Sequence, residues 1–254
     1  MSTSNTLAIV LLTLCVALAE RSTLDDYIDT CMDGVSHKSK PGKEDELFQQ
    51  CAPWKNRSCC TTAVTKDMHV SPTWYNMDWS HCPTPLSEPC RKHFMQDLCF
   101  YECSPNVGPW LVPHNISIRN ERFVGVPLCR TECDAWFNAC KDDYTCLQDW
   151  SKGWDWSTGS NKCPADSTCQ TFQEVFKTAE KMCQTVWGGS FEVVDDKEPC
   201  MLLWFDGENN PNDEIALKAA EALLTVGSAP TLHTVWTTLM ACATLRLVIL
   251  HDLR

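Results

Sequence analysis

The chain has 254 residues, 18 cysteines and a formal net charge of −12. Its 33 acidic residues outnumber 21 basic ones, and no Lys/Arg cluster is present to neutralise a phosphate backbone, which excludes nucleic acid as a partner. Cysteine at this density belongs to an oxidising compartment, and the length permits one large domain or two small ones.

Residues 8–19, AIVLLTLCVALA, form an apolar run ending in Ala17-Leu18-Ala19, the small-x-small pattern of a signal-peptidase site. Cleavage is expected before Glu20, although no Lys or Arg precedes the run. Cys15 lies in this run and Cys242 in a trailing apolar one. The remaining sixteen cysteines, from Cys31 to Cys200, suit eight disulfides. Zinc would need repeated CxxC knuckles or histidine at ligand spacing; the sequence has neither, so no metal and no cofactor are expected.

In the mature chain, residues 38–43 read as an exposed loop and Glu44 to Gln50 as one or two helical turns. Asn56-Arg57-Ser58 is a glycosylation sequon beside the doublet Cys59-Cys60, whose members must tie separate parts of the fold together. Trp74, Tyr75, Met77 and Trp79 suit a loop or short strand lining an apolar site, or plain core packing. From Cys82 to Trp110 the spacing of Cys90, Phe94, Leu98 and Tyr101 predicts a helix ended by Pro105, Gly108 and Pro109. Asp97 lies on its aromatic side, either as a recognition group or as a surface aspartate.

Residues 105–127 carry four prolines and read as mostly loop, with a second sequon at Asn115-Ile116-Ser117. Arg119 and Arg122 would face one way on a helical turn, paired to carboxylates or donating to a planar carbonyl or carboxylate ligand. Cys129 to Trp150 is a second helical segment, with Cys133, Trp136, Cys140 and Tyr144 on its stripe. Trp150, Trp154 and Trp156 surround Ser151, Lys152 and Gly153 in a loop that lines a cleft or fills a core. A third helix is predicted from Thr171 to Val186, then WGGSFEVV with Trp187 and Phe191 flanking Gly188, Gly189 and Ser190. MLLWFDG adds to the core, and 215–225 form a last helix.

Gly227-Ser228-Ala229 precede an apolar stretch from Leu232 to Leu250, the order of a GPI-attachment signal, with Gly227 or Ser228 as the site. Arg246 interrupts the stretch; a transmembrane span or a secreted tail are the alternatives. The layout is a signal peptide at 1–19, one disulfide-knit α-rich domain at 20–226 and an attachment region at 227–254.

No GxSxG, HExxH, phosphate loop or dinucleotide fingerprint appears, and His93, Asp97 and Ser104 do not make a triad, so no enzyme is expected. Aromatic walls with a few charges describe a site for a flat, polar heteroaromatic compound.

From Cys31 to Asn212 the chain resembles the folate receptor family, through HFMQDLCFYECSPNVGPW, ERFVGVPLCRTEC, DYTCLQDWSKGWDWSTGSNKC and WFDGENNPND. The resemblance implies an α-rich α+β fold: a single disulfide-knit globular domain with short β-strands around a deep pocket. It implies the pairs Cys31–Cys59, Cys51–Cys99, Cys60–Cys103, Cys82–Cys169, Cys90–Cys140, Cys129–Cys200, Cys133–Cys183 and Cys146–Cys163. It also implies a pterin held between Tyr101 and Trp187, with Asp97 as its carboxylate, Arg119 and Arg122 as its arginine pair and Ser190 as a further contact. Tyr75 and Trp150 match positions along the aminobenzoate section, and Lys152, Gly153, Trp154 and Trp156 positions near the glutamate tail.

Four departures, Met77, Ile118, Ser151 and Phe191 in place of a phenylalanine, a tryptophan, a histidine and a tyrosine, remove a hydrogen bonder and some aromatic surface. The implied function is a cell-surface receptor, lipid-anchored to the membrane, taking up folic acid or reduced folate by endocytosis. The alternatives are an egg-surface receptor for a sperm membrane protein, or a carrier of another heteroaromatic vitamin suggested by WGGSF. The retained Asp97 and arginines favour folate, with binding expected to weaken below about pH 5, where a carboxylate protonates.

Overall fold

A helix with three of its residues in disulfides forms the axis of the fold. Ser87 opens it, its hydroxyl accepting the Cys90 N–H at 3.4 Å, with Pro89 in the first turn where no N–H is needed. It runs Glu88–Cys103 and closes with the Ser104 N–H on the Phe100 carbonyl, one residue before Pro105. In the computed structural model, which describes residues 23–228, this is α3. The others are α1 (Asp25–Ile28), α2 (Thr62–Val70), α4 (Arg130–Cys140), α5 (Phe172–Phe176), α6 (Ala179–Thr185) and α7 (Asn212–Ser228). The strands are β1 (Thr73–Trp74), β2 (Met77–Asp78), β3 (Leu111–Ile116), β4 (Arg119–Phe123), β5 (Val126–Cys129), β6 (Tyr144–Thr145), β7 (Gln170–Thr171) and β8 (Phe191–Val194).

The strands pair two by two: β1–β2, β3–β4 and β6–β7 antiparallel, β5–β8 parallel. Each pair is too small to stand alone, so helices and disulfides must carry the fold. All eight disulfides implied by the family resemblance are formed. Three radiate from α3, through Cys90, Cys99 and Cys103, and Cys59 and Cys60 tie to different partners, as the doublet required. The core around α3 joins half-cystines to Phe94, Phe100, Trp136, Phe172 and Phe191. The expected α-rich α+β domain is what forms.

Several boundaries differ from the sequence expectation. Glu44 to Gln50 is not a helical turn; a 3-10 helix begins only at Gln49 and ends at Trp54. The second helix stops at Cys140, not Trp150, because Cys140 is bonded to Cys90 and Tyr144 pairs with Thr171, drawing the chain into β6. The third helix is broken at Lys177, where φ is 69°, and restarts as Thr178 accepts the Lys181 N–H at 3.1 Å.

Residues 105–127 are not mostly loop: they hold the β3–β4 hairpin and the start of β5. Pro113 is tolerated because both strands of a two-stranded ribbon are edges. Pro127 is tolerated because Met201, which bridges β5 on its other side, bonds to the Pro127 carbonyl and the Cys129 N–H and asks for no N–H at 127. Arg119 and Arg122 therefore stand on a strand. Side chains alternate there, so three residues apart puts them on opposite faces, not on one.

Candidate functional site

Five segments, α3 among them, enclose a cavity of about 220 Å³. One turn of α3 supplies Asp97 and Tyr101, four residues apart and so on one face. The β4 strand brings Arg119, and the turn between α6 and β8 brings Trp187 and Ser190. The remaining walls are Trp74, Tyr75 and Met77 of the β1–β2 hairpin, Trp150, Ser151 and Trp156 of the loop between β6 and β7, and Ile116 and Ile118 of the β3–β4 hairpin.

Asp97 is not a surface aspartate. It is 5% exposed, and burial pushes its carboxyl up to about 8. The Trp187 indole N–H opposes that rise, though it makes no hydrogen bond of good geometry. The cavity thus holds a buried acid whose neighbouring donor, the Trp187 indole N–H, is poorly aligned with it, an acid suited to a polar ligand edge.

Arg119 donates from Nη1 to the Tyr101 hydroxyl at 2.8 Å, and its guanidinium carbon lies 5.5 Å from that ring's centre. Burial raises the Tyr101 phenol to about 12, with Arg119 opposing it, so Tyr101 stays neutral. Arg122 does not line the cavity. Its Nη2 donates to the Trp187 and Gly188 carbonyls at 2.9 and 2.7 Å and to the Ser190 hydroxyl at 3.3 Å. Arg122 is thus a clamp on the turn that carries Trp187. That turn needs glycine: Gly188 has φ 57°, and a Cβ there would lie 2.6 Å from the Ser151 hydroxyl.

The tryptophan-rich loop divides its work. Trp150 is buried, stacked on Phe94 at 4.7 Å with its Nε1–H on the Thr145 hydroxyl at 2.9 Å, and it still faces the cavity. Trp156, 47% exposed, edges the mouth. Three neighbours are not brought to the cavity. Trp154 is buried against His81 and bonds the Trp150 carbonyl at 2.8 Å; Gly153 shapes the loop at φ 86°. Lys152 is held outward by Asp149 at 3.1 Å, its side chain 79% exposed.

Sequence reading missed Phe123, Leu98 and Ile116 as cavity walls. Leu98 was visible on the helical stripe, whereas Ile116 was masked by its sequon. Asn56 and Asn115 are both exposed, as their sequons require. The signal peptide and the apolar tail lie outside the described residues. Among the described residues, no helix is long and apolar enough to cross a membrane.

Residues 30–202 match the model of the folate receptor family. The chain is 42% identical to human (Homo sapiens) folate receptor gamma over 78% of its own length and 82% of that protein. It is 39% identical to human folate receptor alpha, over 80% of each. It is 33% identical to the riboflavin-binding protein of Dromaius novaehollandiae, over 80% of this chain and 79% of that one. With a match of this breadth, and eight disulfides in the pattern that the resemblance implied, the chain belongs to the folate receptor family.

Proposed function

We propose that this protein is a cell-surface receptor that binds folic acid and reduced folates for endocytic uptake. The family is one of non-catalytic receptors, so the chain is no enzyme. The observation that carries the ligand reading is Asp97: a buried, poorly partnered carboxyl in a cavity walled by rings. A pterin presents an amino group and a ring N–H side by side, the pair of donors one carboxylate accepts. Tyr101 and Trp187 supply faces for its ring, Arg119 a donor for its carbonyl and Ser190 a further contact, and Arg122 holds the Trp187 turn in place.

Tyr75 and Trp150 flank the section that follows. Trp156 edges the cavity where a charged tail would leave it, and Lys152 would meet that tail only by leaving Asp149, with Gly153 and Trp154 shaping the loop. Met77, Ile118 and Ser151 line the cavity in place of larger or more polar groups, which favours weaker binding than in relatives that keep them. Isothermal calorimetry of the mature protein with folic acid tests the reading. One-to-one binding is expected; the absence of both heat and tryptophan-fluorescence quenching at micromolar ligand would move the reading to adhesion, tested next against sperm-surface ectodomains.

The location we propose is the outer face of the plasma membrane, with endosomal cycling, through a GPI anchor at Gly227 or Ser228. Both fall at the end of α7, and the small-residue order of the sequence supports the site. Phosphatidylinositol-specific phospholipase C should release the protein from intact cells; retention after complete treatment points instead to a spanning tail.

A further inference from the structure

Beneath the cavity lies a carboxylate that the binding reading does not use. Glu102, one residue past Tyr101 on α3, is fully buried. Its Oε1 accepts the Trp74 indole N–H at 3.1 Å, while its Oε2 makes no hydrogen bond and stands 3.7 Å from His37 Nε2. That imidazole nitrogen is 3.1 Å from the Tyr101 carbonyl, which can only accept, so it carries the ring proton. Glu102 thus joins α3 to a cavity wall through its bond to Trp74, with the Tyr75 phenol also close enough to interact with the carboxyl.

The wall it joins is strained. Tyr75 and Asn76 form the two-residue turn between β1 and β2, with φ 51° and 62° and Trp74 paired to Met77. This is the mirror-image hairpin turn, which asparagine suits. For a bulky aromatic residue such as Tyr75 the left-handed backbone is an outlier, so a neighbouring structure must hold it there. A ladder of two residues per strand is too short to do so. The Tyr75 ring instead lies 4.8 Å from that of Trp74, the ring fixed by Glu102.

We propose that Glu102 is a positioning residue: by accepting the Trp74 indole N–H it holds the strained Trp74–Tyr75 turn in place as the cavity wall that grips the ligand. The ligand's identity rests on the folate reading; the wall does not. Because the role is that of an acceptor, the amide isostere should serve and an apolar residue should fail, whereas simple packing would be served equally by leucine.

The test is hydrogen exchange and folic acid titration on the full mature domain. In Glu102→Leu the amides of residues 73–78 should exchange at least tenfold faster, those of α3 within twofold of wild type, and folic acid should bind about tenfold more weakly. Glu102→Gln should stay within threefold of wild type on every measure. The proposal is overturned if Glu102→Leu leaves residues 73–78 unchanged, if α3 loosens equally, or if Glu102→Gln is as damaging as Glu102→Leu. Should Glu102→Leu not fold, Trp74→Phe removes the same bond from its other end: it must speed exchange at 75–78, and adding Glu102→Gln must change that rate no further. A wild-type protein that takes no folic acid overturns the folate reading alone, and the exchange data then decide the wall.

Discussion

Asp97 concentrates the chemistry of the site, and its burial changes what pH should do. The group keeps its proton in the empty protein up to about pH 8, against an ordinary 3.8. Ligand N–H donors favour the ionised form, so folate affinity should rise with pH toward about 8 and level off above it. The decline therefore begins well above the pH 5 expected of an ordinary carboxylate. Asp97→Asn replaces one acceptor by a donor facing donors, a loss of roughly 2–5 kcal/mol, or about 30-fold to several thousandfold in affinity. A folded mutant within threefold of wild type by calorimetry would remove Asp97 from the site. Stability carries the opposite pH signature. Between 3.8 and about 8 the native state holds a proton that the unfolded chain has released, so the ligand-free protein loses stability as pH rises through that window. Thermal unfolding at pH 5 and pH 8 should shift the balance toward higher pH in Asp97→Asn relative to wild type. Glu102 and Glu132, raised by burial, add to the Asp97 loss, while His81, His69 and His93, lowered by burial, oppose it in both proteins. The sequence made Asp97, Tyr101 and the rings legible through helical spacing. It left the aspartate's burial open, because burial is decided by the turn from Trp187 to Ser190, some ninety residues away.

Elements were legible where local chemistry and packing agree, and misread where a distant partner overrides the local period. The α3 helix has a cap, a stripe and a proline stop in its own sequence. The strands around Arg119 and Arg122 have none of these, and their register comes from a partner strand and from Gly34, which bridges to Arg119. The break between α5 and α6 is a sharper case, since Thr171 to Val186 has a continuous apolar period. It is interrupted because Lys177 adopts φ 69° and Thr178 caps the next helix. Lys177 is exposed and lies outside the cavity, so its conformation can be relieved without touching the ligand. Lys177→Gly should stabilise the domain by about 1 kcal/mol and leave folate affinity within twofold. Denaturant unfolding checks the first; an unchanged or lowered midpoint would mean that the turn costs the lysine nothing.

At the scale of the whole molecule, disulfides take the place of a larger sheet or a longer helical bundle, and two neighbouring ones should separate stability from binding. Cys82–Cys169 spans 87 residues and Cys146–Cys163 spans 17, and the two bridges nearly touch, with Cys163 and Cys169 sulfurs 3.9 Å apart. With the other bridges intact, Cys90–Cys140 and Cys146–Cys163 shorten the path from Cys82 to Cys169 to about 20 residues, so removing either bridge should cost a similar amount, within about 0.5 kcal/mol. Binding should separate them. Cys146 and Cys163 close the segment that carries Trp150, Ser151 and Trp156 to the cavity, so its release lets those walls drift while the core around α3 persists. Paired serine variants give the comparison: Cys82→Ser with Cys169→Ser, and Cys146→Ser with Cys163→Ser, each measured by chemical unfolding and by folic acid titration. The Cys146→Ser, Cys163→Ser variant should lose roughly tenfold or more in affinity, about 1.4 kcal/mol, while the two variants keep similar stability. Equal affinities in the two variants would mean that Phe94 stacking on Trp150 and the Trp154 bond to the Trp150 carbonyl hold the loop without its disulfide. The cavity wall would then be set by aromatic packing and not by the cross-link.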